Sequence, residues 1–568
     1  MGIKPAKKLK INGYFCGQTE NRKSMTEKSR QTLIKTFLVV LAVSAYTFGL
    51  FIDVTRDGSK YASVAREVYE TGNFIDLKIH GEPYDQKPPM LFWLSALSFY
   101  LFGLSNFAFK LPLLLLAWGG LYSVYRLGKS LYDRRTGLLT ATLLGSSQMY
   151  FLYCADIHTD TVMQAFVSFS LWQLFDFLRT KRNINFILGF VGVGLAMLSK
   201  GPMGAVVPAA AVVGHLIFTR RYRELADIRW YIGIVIVAVI IWPALAGLYR
   251  QFGWEGIVFY FWTNNFGRIS GTYVQTSNDY FFFFHNLLYL YLPWILLLYM
   301  AAFLEFRSLI RRRLKAREYF VFSGTWFFFI LLAISRSKLP NYIFIIMPLM
   351  SVLTAKYIML AISGRKPLLL RVFTQTQYFV ASLLTILLLL ISFWLFPLGQ
   401  VWQWLLLAVV LALSVWFLLQ KGRPAERLLL PSLTLIIGLN FFLNQHVFPQ
   451  IFSQQAPVTV ARMFSEQAGP DDRLYNYNYS SYELFFYGKT TVKQVESDVE
   501  LKQLLERPGS WILTSPEVTE RIKTMDVPQP EIREIKHLWM NKVGLRFVNP
   551  KTRQQAYDTL YLVKSAGR

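Results

Sequence analysis

Apolar runs of roughly 20 residues, the length that crosses a bilayer core as a helix, recur along most of this chain and leave it few architectures. They centre near residues 44, 117, 145, 168, 191, 210, 240, 295, 327, 350, 386, 410 and 436, about thirteen spans, some of the third to sixth being short. Charged residues make up only 17% of the chain, against about 25% in soluble globular proteins, so the bilayer is the expected solvent. The formal charge of +26 does not signal nucleic acid, because much of the surplus sits in short loops between apolar runs. The first run, Phe37 to Ile52, follows a basic N-terminus and lacks a small-residue cleavage site, so it reads as a signal anchor. Cys16 and Cys154 give no disulfide framework.

Lys and Arg in short loops set orientation. The N-terminal tail carries Lys4, Lys7, Lys8, Lys10, Arg22, Lys23, Lys28, Arg30 and Lys35. Alternate loops repeat the bias: Arg134-Arg135; Arg179 to Arg182; Arg220, Arg221 and Arg223; Arg307 to Arg317; Arg365-Lys366 and Arg371; Lys421, Arg423 and Arg427. With a cytoplasmic N-terminus, the outer face receives residues 53–105, Asp156 to Asp160, Lys200, residues 250–284, Ser335 to Asn341 and everything after about 447. The unusual polar residues therefore gather on one side, which a plain structural bundle does not require.

The expected organisation is a basic cytoplasmic segment (1–35), a polytopic α-helical membrane domain (36–447) with an outer loop (53–105), and a soluble α/β domain (448–568). In the last part apolar runs shorten and charges of both signs mix. Leu474 to Tyr477 and Trp511 to Leu513 read as strands. Ser480 with Glu483, and Ser497 with Glu500, form capping boxes before helices. Ser515-Pro516 opens another helix, with proline at its first position. Strands alternating with helices suggest a small α/β fold.

The outer loop is dense with chemistry. Asp57 lies near the outer end of the first span; it reads either as a partly desolvated general base or as a helix N-cap, with Asp53 as a rival. Asp160 enters an apolar run, either as a functional acid or as a charge matched to a helix dipole. Asp156 and His158 beside it are weak candidate metal ligands. Lys60, Lys87, Lys200, Arg268 and Lys338 fall on the outer face, where they can snorkel or neutralise a lipid-linked phosphate. No P-loop, HExxH or CxxC is present.

The ordered set resembles the bacterial branch of the GT-C membrane glycosyltransferases: the ArnT-like lipid A aminoarabinose transferases and related protein mannosyltransferase-like enzymes. The matching runs are Asp57-Gly58-Ser59-Lys60-Tyr61-Ala62, Ala65-Arg66-Glu67, Gly72-Asn73-Phe74 and Tyr84-Asp85-Gln86-Lys87-Pro88-Pro89. Further on come the Asp160 region, Leu198 to Pro202, Asn264 to Arg268, Leu292-Pro293-Trp294 and Ser335 to Tyr342, in family order over residues 40–350.

The resemblance implies a GT-C fold in a bacterial inner membrane, with the active site and C-terminal domain periplasmic. It implies inverting transfer of a sugar from a polyprenyl (undecaprenyl) phosphate to lipid A, a glycan or a protein. Asp57 would be the catalytic carboxylate and Asp160 the second acid. Lys60, Lys87 and Arg268 would bind the lipid phosphate, with Tyr84 and Tyr342 lining the cavity. Gln86 stands where the family has an acid implicated in metal binding, and Asn264 where many relatives have His, so no cofactor is required and a metal is not expected. The alternative is a transporter or flippase of lipid-linked sugars, which should show repeats and broken helices at mid-membrane. A scaffold would not need Asp57, Lys87 and Arg268 on one side.

Overall fold

The computed structural model describes residues 12–54, 56–420, 423–479, 481–488, 490–539 and 543–566, with side chains from residue 29 onward. Lys4, Lys7, Lys8, Lys10, Lys421 and Ser480, and the side chains of Cys16, Arg22, Lys23 and Lys28, lie outside the described residues. Among the described residues eight helices are long and apolar enough to cross a membrane, and three shorter apolar helices accompany them.

In chain order α1 is Asn12–Phe48, α2 Asp57–Thr71, α3 Met90–Phe102, α4 Asn106–Leu131, α5 Arg134–Gly145, α6 Gln148–Ala155, α7 Thr159–Thr180, α8 Asn183–Lys200 and α9 Met203–Phe218. Next come α10 Arg229–Val258, broken at Gly253, α11 Phe266–Ser270, α12 Phe282–Leu290, α13 Ile295–Ile310, α14 Glu318–Ile334 and α15 Met347–Ile362. The membrane part closes with α16 Pro367–Leu390, α17 Val401–Leu419, α18 Pro424–Phe442 and the short α19 Phe448–Phe452. The span containing α15 is 83% buried over its most apolar window, against 22% for that of α10, so α15 is central and α10 peripheral.

Two expected span centres fall at breaks. Near 145 the hydroxyls of Ser146 and Ser147 bond back to the carbonyls of Thr142 and Leu144, both at 2.6 Å, and the helix restarts at Gln148. Near 295 the chain turns between α12 and α13. The breaks satisfy each other: the Trp294 indole donates to Ser146 Oγ at 2.9 Å, and the Gln148 N–H to Leu292 O at 3.0 Å. A break buried in a bilayer must find such partners.

Residues 53–105 are not a loop throughout. After α2, Gly72 adopts φ 67° and its N–H bonds Val68 O, a left-handed cap suited to glycine. A two-residue turn, His80 (φ 57°) and Gly81 (φ 82°), joins β1 (Lys78–Ile79) to β2 (Glu82–Pro83), as positive φ at both positions allows. The apolar α3 then follows Pro89. Gly247 of α10 meets this segment so closely that a Cβ there would lie 2.3 Å from Ile75 O.

The C-terminal part holds α20 (Ala456–Gln467), β3 (Arg473–Tyr477), α21 (Tyr482–Tyr487), β4 (Lys493–Val495), α22 (Asp498–Glu506), β5 (Ser510–Thr514), α23 (Pro516–Thr524), β6 (Glu531–His537), α24 (Leu545–Val548) and β7 (Asp558–Lys564). The sheet order is β4-β3-β5-β7-β6, with β3 parallel to β4 and β5 and β7 antiparallel to β5 and β6. All of β5 is buried, as expected of a central strand. The expected strands and the proline-led α23 are present. The caps differ in detail: Ser481 caps α21 by accepting from the Leu484 N–H. Ser497 caps α22, while Glu500 reaches past it to the Glu496 N–H at 2.9 Å.

Candidate active site

The C-terminal domain grips the start of α2. Tyr487 Oη accepts from the Val54 N–H at 2.8 Å and donates to Asn106 Oδ1 at 2.6 Å. Arg462 meets Asp53 at 2.5 Å. The Glu483 carboxylate accepts from the Arg56 N–H, and Phe485 O accepts from Arg66. Arg56 has φ 51°, a conformation that costs free energy in a residue with a side chain and persists only where neighbours hold it. Glu483 is that neighbour.

Asp57 therefore stands at the first position of a clamped helix rather than at its cap, which is Arg56. It is exposed rather than desolvated, and among the described residues its carboxylate makes no direct hydrogen bond or ion pair. Asp53, the rival, is taken up by Arg462 and by Asn106 at 2.9 Å. Asp57 opens onto a cavity of about 680 Å³ shared with Asp156, His158, Lys110 and Tyr153.

A second cavity is lined by Lys87, Lys200, Arg268, Asp160, Asn264 and Tyr342. Asp160, 2% exposed, has both oxygens engaged: Lys200 Nζ at 2.5 Å and Asn341 Nδ2 at 2.9 Å. It holds a cation in place and is not a free base. Lys200 also lies 4.5 Å from the Tyr342 ring centre. Arg268 donates to Asn264 Oδ1 at 2.8 Å and to Tyr342 Oη at 3.1 Å. Lys87 has no bonded partner among the described residues. Burial, then the neighbouring Lys200 and Arg268, push its ammonium down to about 8. Three cations and one carboxylate line this cavity, which leaves it with a positive balance of charge. Asp156 and His158 of the first cavity and Asp160 of the second sit together at the start of α7, so the two cavities are neighbours.

Lys60 lies at the side of this arrangement, giving a 2.5 Å hydrogen bond to Gln86 Oε1 with the rings of Tyr84 and Tyr482 on either side. Burial lowers its pKa, against the pull of Asp57 and Asp85. Tyr84 is buried with an unpartnered hydroxyl, beside Lys87 in a small adjoining cleft. Lys338 is placed elsewhere: its Nζ bonds Ser277 O at 3.2 Å and stands over Tyr280, pinning the segment before α12. Gln86 accepts from Lys60 and Asn264 from Arg268. His158 pairs with Asp156 at 3.1 Å, and among the described residues no third ligand joins them.

Sequence reasoning missed Lys110, and it placed Asn341 in a matching run without giving it a role. Lys110, 1% exposed, donates to Gly49 O at 3.1 Å and Ala155 O at 2.9 Å, satisfying carbonyls where two helices end. A lone lysine early in an apolar run was the available signal.

Residues 86–246 match the family model described as dolichyl-phosphate-mannose-protein mannosyltransferase. The undecaprenyl phosphate-alpha-4-amino-4-deoxy-L-arabinose arabinosyl transferase of Yersinia pestis (strain Pestoides F) is 27% identical over 313 residues, 53% of this chain and 54% of that protein. Transferase 2 of the same name from Proteus mirabilis (strain HI4320) is 24% identical over 312 residues, with the same coverages. The match spans about half the length of these relatives. The crystal structure of ArnT from Cupriavidus metallidurans bound to undecaprenyl phosphate superposes with a TM-score of 0.72 at 16% identity, covering 94% of this chain and 98% of that one. The chain shares the fold of that structure, a helical membrane part with a small C-terminal sheet domain. In sequence the chain is similar to these transferases over about half its length.

Proposed function

We propose that this protein is an inverting glycosyltransferase that moves a sugar from a polyprenyl phosphate, undecaprenyl phosphate in a bacterium, to an acceptor at the outer face of the inner membrane. The observation that carries this reading is the convergence of Lys87, Lys200 and Arg268 on one cavity beside the exposed Asp57. The cations hold the donor phosphate. As the bond from sugar C1 to the phosphate oxygen breaks, its electron pair leaves with the phosphate, where preorganised cations stabilise the growing charge. The acceptor oxygen forms the new bond to C1 from the opposite side, the side of Asp57. If the acceptor is a hydroxyl, Asp57 takes its proton. If it is a phosphate, as on lipid A, Asp57 orients the sugar. No step needs a metal. The site lies at one end of the helices, whereas a transporter would hold its substrate near mid-membrane.

Direct binding tests this. Purified protein in nanodiscs should retain a polyprenyl phosphate sugar, and Lys87→Gln should weaken retention while Asp57→Asn should not. Equal retention by Lys87→Gln and the unaltered protein would overturn the phosphate assignment.

A further inference from the structure

A further polar cavity, of about 590 Å³, lies at the other end of the bundle. Helix α14 ends beside Ser335, which lines the candidate active site, and starts at Glu318 on this cavity, 17 residues away, or about 25 Å along the axis. Three helix connections meet there: α4–α5, α13–α14 and α15–α16. Its floor is a buried network in which Lys356 Nζ reaches Glu305 at 2.7 Å and Glu318 at 3.1 Å, and Tyr357 Oη donates to Glu305 at 2.7 Å. Glu305 is 1% and Glu318 5% exposed. Above the floor stand Arg307 from the last turn of α13, Arg311, Arg313, Lys315 and Arg317 from the connection after it, and Arg365 and Lys366 from another. None of these seven makes an ion pair among the described residues. The acids nearby are engaged: Glu318 with Lys356 and the Lys315 N–H at 2.8 Å, Asp133 as the cap of α5. Arg317 lies over the Tyr132 ring at 4.9 Å with its buried Nε unpartnered.

Basic loops are often only orientation signals. Such signals need neither a cavity nor a buried charged floor beneath it. A basic pocket between helix ends at the membrane surface suits the headgroup of an anionic lipid. We propose that this cavity binds the phosphate headgroup of an anionic phospholipid from the adjacent leaflet, between Arg313, Arg317 and Lys366, joining the two basic connections.

The test uses the full chain purified with a mixture of phosphatidylglycerol and phosphatidylcholine, with bound lipid read by native mass spectrometry. The unaltered protein should retain phosphatidylglycerol preferentially. Arg313→Gln with Lys366→Gln, both exposed, should lower that retention on the order of tenfold. The control pair Arg220→Gln with Arg223→Gln removes the same charge from exposed positions on the same face outside the cavity and should leave retention unchanged. Equal loss in both pairs would mean diffuse surface attraction, and no loss in either would mean no site; each overturns the proposal. Displacement of the lipid by millimolar inorganic phosphate would assign the cavity to a soluble anion and overturn the lipid source.

Discussion

Lys87 gives the sharpest prediction, because its charge is costly in the empty site and useful in the filled one. Burial, then Lys200 and Arg268, lower its pKa from 10.5 to about 8, which corresponds to about 3 kcal/mol against the charged form. A bound phosphate reverses that balance, so donor binding takes up a proton wherever the empty site has lost it. The sign follows: below pH 8 Lys87 is charged in the empty site and donor affinity is flat. Above pH 8 the charge must be restored on binding, and affinity falls about tenfold per pH unit until the ordinary lysine value is reached. Lys87→Arg, which stays charged throughout, should keep tight binding and lose the pH dependence. Lys87→Gln should weaken binding by about 1.5–3 kcal/mol, and its affinity should also be level with pH. The assay is donor KM or Kd from pH 7 to 9.5 for the three proteins. A flat profile for the unaltered protein, or the same slope in Lys87→Arg, would refute the reasoning.

Three further outcomes follow from the same geometry. Asp57→Asn should lower kcat by at least 10²-fold with donor affinity and thermal stability unchanged, since the residue is exposed and unbonded; a kinetic assay beside a melting curve checks both. Asp160→Ala should strip Lys200 of its buried partner at 2.5 Å, costing about 3–5 kcal/mol of stability, and adding Lys200→Met should recover much of the melting temperature but not the activity. Glu483→Ala should release the Arg56 N–H and lower kcat with donor KM unchanged, because Glu483 lies outside both cavities; its stability cost should be about 1–3 kcal/mol.

What the sequence made legible was local. Alternating basic loops and apolar runs gave the helical membrane architecture. The Ser497 cap and proline at the start of α23 marked element ends within a few residues of themselves. The gathering of Lys87, Lys200 and Arg268 was legible only because orientation put them on one face. Contacts across long stretches of chain were not. Nothing near Tyr487 reveals that it bonds Val54, and nothing near Glu483 reveals Arg56. Lys338 matched the charge and the face expected of a phosphate ligand, yet the local turn directs it to Ser277. The breaks near 145 and 295 read as spans because each is apolar; their reason is mutual hydrogen bonding.

The central claim is that this chain transfers a sugar from a polyprenyl phosphate using Asp57. Deleting the protein in its host and comparing lipid A, surface glycans and the polyprenyl phosphate sugar pool by mass spectrometry tests it most directly. The expected result is loss of one sugar from one acceptor, accumulation of its lipid-linked donor at the outer leaflet, and restoration by the unaltered protein but not by Asp57→Asn. Restoration by Asp57→Asn, or donor accumulating on the cytoplasmic leaflet, would contradict it.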